Sequence, residues 1–463
     1  MYKYRRHPIV IPVGVFRSLW AALLPFLFTL RKDKIASLKD LLFRLAIIVG
    51  ILLLLSVIEF LKWRTFTYEW DEREIRTSSG IWSKTKTLIP RSAITGFERT
   101  DNPIMKAFGL VTLKFEMAGG GKETDVVLSY IPEELALEWG DEKRTVKTDY
   151  HFSFRQLLLY GSGSPATWVT ISAILALGND FWGSEGFSII QGWFGNKAIW
   201  FWLVGVLFGF LLLWSVASLF VASRYFGFTL ELKDRVFIIS RGLWKRQITR
   251  IHTEQIQGLI IAEHPFHAAC GYVSVRAHLT STQGDDGSFD NVLFPLIKRH
   301  ELHNWLQYYL PEYNIHLQMT HLPPHLQLAY MWRHVLLASP SFLLILWKPW
   351  LISIALSFTI IFALFGWWRG KTAAWAFNDH HIIFTSRHFV KQTTIIPLAR
   401  IQALEVAATP FGRWRKHRIV TVRVVSGWLG STARLLYLPT TVAESILSWY
   451  INSRKSIKKA RSI

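Results

Sequence analysis

One cysteine, Cys270, stands in a chain of 463 residues, so no internal disulfide is available and folding must rest on packing alone. Acid is scarce as well: 32 Asp and Glu against 53 Lys and Arg leave a formal charge of +21. Catalytic punctuation is missing where an enzyme would carry it. No G-x-S-x-G, H-E-x-x-H, Walker loop or post-strand G-x-G-x-x-G occurs. Gly119-Gly120-Gly121 falls between two strand patterns and reads as a flexible hairpin. Helix-turn-helix, zinc-finger and RNA-binding signatures are also missing, and much of the positive charge flanks apolar runs, so the charge does not argue for nucleic acid.

Hydrophobicity is what the chain has in excess. Half the residues (51%) are hydrophobic, with 22 Trp and 32 Phe, the composition of a membrane protein. Residues 45–61, 200–222 and 351–368 approach or exceed the roughly 20 apolar residues that cross a ~30 Å hydrocarbon layer. Weaker stretches at 11–30, 165–182 and 331–347 each precede a strong one and carry Pro25, Pro165 or Pro340. This pattern predicts three hairpins and six transmembrane helices. Arg17 lies in the first weak stretch, and an arginine at a helix centre costs about 2.5–3.5 kcal/mol. Residues 11–30 therefore either span or lie in the interface. Glu59, close to Lys62 and Arg64 at a run's end, reads as an interfacial ion pair and not a proton carrier. The 183–199 connection holds only Glu185 and Lys197 and the 348–350 turn only Lys348, while the rest is heavily basic. The positive-inside bias then puts the soluble modules and both termini in the cytoplasm of a multi-pass cell-membrane protein. Residues 31–40, with four basic residues, run against it.

The strongest pattern is internal repetition. From the aromatic anchors Trp82, Trp244 and Phe389, an isoleucine follows twelve residues on (Ile94, Ile256, Ile401) and a proline nine further (Pro103, Pro265, Pro410). Another isoleucine lies five before the first: Ile89, Ile251, Ile396. Val111-Thr-Leu-Lys-Phe115, Val273-Ser-Val-Arg-Ala277 and Val420-Thr-Val-Arg-Val424 come next, the third slipped by two residues. Five anchors in register define one unit written three times. Each unit reads as short strands closed by a helix, a small β-sandwich or barrel in an α+β chain. The expected order is hairpin 1–64, module 65–147, hairpin 148–222, module 223–318, hairpin 319–371 and module 372–463.

Gly80-Ile-Trp82 or Gly242-Leu-Trp244 after a helix hairpin, then Ile89-Pro-Arg-Ser-Ala-Ile94 or Ile396-Pro-Leu-Ala-Arg-Ile401, a proline turn and a Val-x-Val strand, resembles the bacterial pleckstrin-homology-like (bPH2) membrane family. The resemblance covers almost the whole chain and matches the family's three-module type. It implies PH-like cytoplasmic domains, each closed by a C-terminal helix, no enzymatic activity, no cofactor, and a scaffold role in envelope stress or antimicrobial-peptide resistance. It also implies a smaller single-module partner of the YdbS type. The third copy departs from the motif with Arg387-His388-Phe389. A second reading of the same chain is a lipid- or polyprenyl-carrier-binding transport protein.

Ligand signals are few. Trp70-Asp-Glu-Arg, Leu232-Lys-Asp-Arg and Phe377-Asn-Asp-His at the first hairpins lack the cations that a phosphoinositide needs. Arg413, Trp414, Arg415, Lys416 and Arg418, and the tail residues Arg454, Lys455, Lys458 and Lys459, suit an anionic bilayer face, or are simply solvated charges. His264, His267 and Cys270 have metal-like spacing but flank the repeated proline turn, so no metal is expected there.

Overall fold

The computed structural model describes residues 3–19, 38–71, 73–90, 94–117, 126–138, 150–164, 166–172, 199–279, 292–315, 317–346, 348–424 and 431–461. Two compact units divide the chain, one of Met1–Lys147 with Trp244–Ile251 and one of Thr148–Leu243 with His252–Ile463.

In the first unit, β1 (Lys3–Tyr4), β2 (Thr67–Trp70), β3 (Glu74–Ser79) and β4 (Thr85–Pro90) form an antiparallel sheet in that order. Period-two alternation makes the sheet one-sided: Ile75 and Thr77 of β3 are buried while Arg76 between them is exposed. A second sheet holds β5 (Ile94–Asp101), β6 (Leu110–Met117) and β7 (Val126–Pro132). Tyr68, Ile75, Ile89, Leu113, Phe115, Leu128 and Ile131 fill the space between, and Ala136 of the helix Glu133–Glu138 closes it.

The second repeat has the same parts: β8 (Tyr150–His151), β9 (Thr229–Lys233), β10 (Val236–Arg241), β11 (Arg246–His252), β12 (Ile256–Glu263), β13 (Tyr272–Leu279), β14 (Val292–Lys298) and the helix Leu302–Tyr309. The third has β15 (Thr320–His321), β16 (Ala374–Phe377), β17 (His381–Arg387), β18 (Lys391–Pro397), β19 (Ile401–Ala407), β20 (His417–Val424), β21 (Ser431–Pro439) and the helix Thr440–Arg461. These β-rich modules closed by a helix match the PH-like expectation.

The repeats share their sheets. β12 pairs with β13 on one side and on the other with β18 of the next repeat, from Leu259↔Ile395 to Glu263↔Lys391. The result is one seven-stranded sheet in the order β14-β13-β12-β18-β17-β16-β15. The first unit is built on the same joint: β5 pairs with β6 and with β11 of the second repeat, from Glu98↔Thr249 to Asp101↔Arg246. Both joints end on an acid opposite a base at the same repeat position. In the second, Lys391 Nζ donates to Glu263 Oε1 at 2.9 Å, and Arg299 lies 3.7 Å from the same carboxylate.

Each helix pair is held by its module at both ends. Two-residue strands before the helices pair with the strand just after them, β1 with β2, β8 with β9 and β15 with β16. The chain therefore leaves and rejoins each module at one sheet edge. Within the third pair, small residues let the backbones touch: a side chain at Gly366 would fall 2.7 Å from the Tyr330 carbonyl oxygen, and one at Gly370 2.6 Å from that of Gln327. Tyr330 continues into the module core, where its hydroxyl donates to the Leu436 carbonyl at 3.2 Å.

Six membrane-spanning helices are not what this structure supports. Among the described residues one helix, Pro349–Thr372, is long and apolar enough to cross a bilayer, while Val10–Leu19 and Leu207–Ser223 are apolar but shorter. The 45–61 run is helical within Leu38–Thr65, and 200–222 within Ile199–Ser223, without meeting that test over the described residues. The 331–347 run fails for a visible reason. Pro324–Ala338 has 15 residues, about 22 Å at 1.5 Å per residue, and at Ser339-Pro340 it gives way to the 3-10 segment Ser339–Leu346. Residues 20–30, 173–182, 183–198 and 31–37, on which the remaining expectations fell, lie outside the described residues.

Glu263→Ala should lower the unfolding free energy by about 1.5–3 kcal/mol, because it strands Lys391 in the joint. Denaturant unfolding of the full chain measures this, and a loss under about 0.5 kcal/mol, the usual scale of a surface change, would show that the ion pair is incidental.

Candidate membrane-interface site

The repeat anchors split into two physical classes. The isoleucines are core: Ile89, Ile251, Ile256, Ile396 and Ile401 are buried, and Ile94 is half-buried against the same core. Pro103, Pro265 and Pro410 each open a one-turn helix, where the missing N–H costs nothing. The aromatics do the opposite. Trp82 is 98% exposed, Trp244 69% and Phe389 62%, so a hairpin tip in every repeat holds a large apolar ring in the open.

Local backbone forces that presentation. Gly80 and Gly242 turn the chain with φ of +120° and +109°, and a side chain on Gly80 would run into the Ser83 carbonyl. The third repeat uses another turn, in which the His388 N–H donates to the Val390 carbonyl at 3.3 Å.

The second and third tips sit at the C-terminal ends of apolar helices. Arg369, in the last turn of the helix ending at Thr372, donates Nε to the Arg387 carbonyl at 2.6 Å. The Arg387 guanidinium stacks 4.1 Å over Trp368, and Lys371 lies 5.2 Å over Trp367. In the second repeat the Leu243 N–H donates to Ser223 and the Gly242 N–H to Phe226, both at 2.9 Å. In the first, Trp63 donates to the Arg6 carbonyl at 2.8 Å, and Arg6 stacks 3.4 Å over Phe66. Glu59 and Lys62 pair at 2.7 Å at the same helix end. Lys62, Arg224 and Arg369 occupy one repeat position, a register that superposing the three copies would have found. At each helix end, aromatic rings with cations on flexible stems make a local collar of the residue types that favour a headgroup layer.

Of the residues singled out in the sequence, Arg413, Trp414, Arg415 and Lys416 come together in one exposed turn between β19 and β20. Arg415 lies 5.0 Å over the Trp414 ring, Trp414 is 73% exposed, and Lys416 takes a left-handed φ of +51°. Arg418 is half-buried and bonds the His417 carbonyl. Arg454 is held to the fold, donating to the Ile401 carbonyl at 2.8 Å and stacking on Tyr450. Lys455, Lys458 and Lys459 lie on the terminal helix, with side chains outside the described residues.

His264 and His267 are buried with ring centroids 5.3 Å apart, while Cys270 is exposed. His267 Nε2 meets the Leu159 carbonyl at 3.1 Å, which ties the proline turn to the helix Phe154–Gly163. Among the described residues no three His, Cys, Asp or Glu side chains gather as a metal site. Burial pushes His264 down to about 3 and His278 to about 4.

Modules of two antiparallel sheets closed by a helix, repeated three times beside apolar helices, define a PH-like repeat protein, and the chain belongs to the Bacterial PH domain family, matched over residues 20–141, 172–312 and 326–454. It is similar to the UPF0699 transmembrane protein YdbT of Bacillus subtilis (strain 168), 26% identical over 493 aligned positions covering 96% of this chain and 97% of that one.

The buried His264 and the half-buried His278 stay neutral in the fold and take up a proton once unfolded, near the ordinary 6.5. Their contribution to stability is complete above pH 6.5 and is lost as the pH falls toward 4 and 3. The melting temperature should fall through that window, and His264→Gln with His278→Gln should flatten the slope. Separately, because Cys270 stands alone, a Cys270→Ser background allows single spin labels. Labels at positions 82 and 389 should report headgroup depth in lipid nanodiscs, and one at 379, at the opposite hairpin end, bulk water.

Proposed function

We propose that the protein is a non-enzymatic membrane scaffold whose PH-like modules form a joined platform for protein partners at the cytoplasmic face. The observation that carries this reading is the β12–β18 joint. Modules on slack linkers would meet ligands separately, whereas a shared sheet presents two repeats as one rigid surface. Attachment to the bilayer is supported by the helix Pro349–Thr372, by the aromatic and cationic collar, and by the name of the Bacillus subtilis relative.

The β15–β16 and β12–β18 pairings favour a placement in which the third helix pair leaves and returns on one side of the membrane, with the neighbouring modules on that side. The surplus of Lys and Arg favours the cytoplasm. In this reading the turn Arg413–Lys416 rests on anionic headgroups, each cation contributing about 1 kcal/mol. The partner is a single-module PH-like membrane protein, and the pair serves envelope defence against membrane-active peptides.

Affinity purification of the full chain from its own membranes, followed by native mass spectrometry, tests the reading. A stoichiometric membrane-protein partner is the expected result. A retained lipid or polyprenyl mass with no protein partner would overturn it in favour of lipid handling.

A further inference from the structure

We propose that copies of this chain join head to tail, β19 of one copy pairing with β4 of the next in the register used inside the chain. An internal joint has two halves, the first strand of a repeat's second sheet and the last strand of the following repeat's first sheet. β5 and β12 supply the former, β11 and β18 the latter. By repeat position β19 is a third copy of the first half and β4 a third copy of the second. Each is the end strand of its sheet, and among the described residues no strand lies beyond either.

Exposure marks both as open halves. Leu88 of β4 is 53% exposed, whereas its counterpart in β18, Ile395, is 4% exposed and faces Leu259, which is fully buried. Leu404, the counterpart of Leu259, is only half-buried, and Glu405 next to it and Ala407 are exposed. Continuing the register sets Leu404 opposite Leu88, Glu405 opposite Thr87, Val406 opposite Lys86 and Ala407 opposite Thr85. An unpaired edge carrying apolar side chains is a template for another strand.

Two features could argue against pairing. Lysines guard many edges, yet Lys84 occupies the position of Arg246 and Lys391, and those cations lie within formed joints opposite Asp101 and Glu263. Arg454 and Tyr450 bond the carbonyls of Ile401 and Gln402 at the start of β19. Tyr313 does the same to Ile256 at the start of β12, which still pairs from Leu259 onward. One element is weaker at the open ends: Ala408 stands where the internal joints have an acid. The pairing is therefore reversible, and being head to tail it extends into chains or closes into rings. It goes beyond the scaffold reading and stands whether or not that reading's partner is found.

Mass photometry of the full chain in detergent, over a concentration series, tests the proposal with Leu88→Lys and Leu404→Lys. Leu88 is exposed, whereas Leu404 is half-buried against the third module's core, so circular dichroism checks that each variant folds. Wild type should form dimers and larger species, and each variant alone should stay monomeric. An equal mixture should give dimers and nothing larger, because each variant keeps the half that the other lacks. Ala408→Glu, placing an acid opposite Lys84, should tighten association by about tenfold, the factor for one charge-assisted hydrogen bond. Monomers for both wild type and Ala408→Glu would overturn the proposal, as would association of either single variant. Capture of a single-module relative by a chain that never self-associates would overturn it while leaving the scaffold reading intact.

Discussion

A β-strand at the border of a sheet presents a row of unsatisfied N–H and C=O groups, and the architecture follows from how this chain disposes of them. A lone PH-like repeat of this type would have two such borders where its sheets meet its neighbours. The chain satisfies them by lending each repeat's border to the next, β5 to β11 and β12 to β18. Hydrogen bonds alone would tolerate a slip of register. In the second joint the Glu263–Lys391 ion pair, together with the buried Leu259 against Ile395, makes one register better than its neighbours.

The helices are subject to the same logic. Each pair is tied into a sheet by a two-residue strand before it and a longer strand after it, which anchors it to its module. Tyr330 carries the third pair into the core of its module, and His267 ties the second pair to the proline turn. The hairpin tips that hold Phe389 and its equivalents in the open are thereby fixed beside helix ends rich in Arg, Lys and Trp.

Much of this was legible in the sequence, and the failures have physical causes. Isoleucines in fixed register and prolines at fixed distances gave the repeat, because a core position and a helix start each demand a residue type. The joints were not legible, since backbone pairing leaves no residue signature. β1, β8 and β15, two residues each, are too short for any alternation to show. Counting apolar residues overstated the membrane: Pro340 ends an apolar run that composition alone would extend, and a 15-residue helix remains. The aromatic anchors mark the repeat, but composition cannot tell a buried ring from one held in the open; the cations at Lys62, Arg224 and Arg369 share a repeat position that superposing the copies shows, and the helix ends give that position its meaning.

The central claim is that neighbouring repeats share a sheet through β12 and β18, and a disulfide trap addresses it most directly. In a Cys270→Ser background, cysteines replacing Ile261 and Thr393, which stand opposite each other, should cross-link on mild oxidation of the full chain, detectable as the loss of two free thiols by mass. A pair shifted by two residues, at 261 and 391, should cross-link far more slowly. No bond at 261 and 393, or equal yields for the two pairs, would contradict a joint fixed in this register.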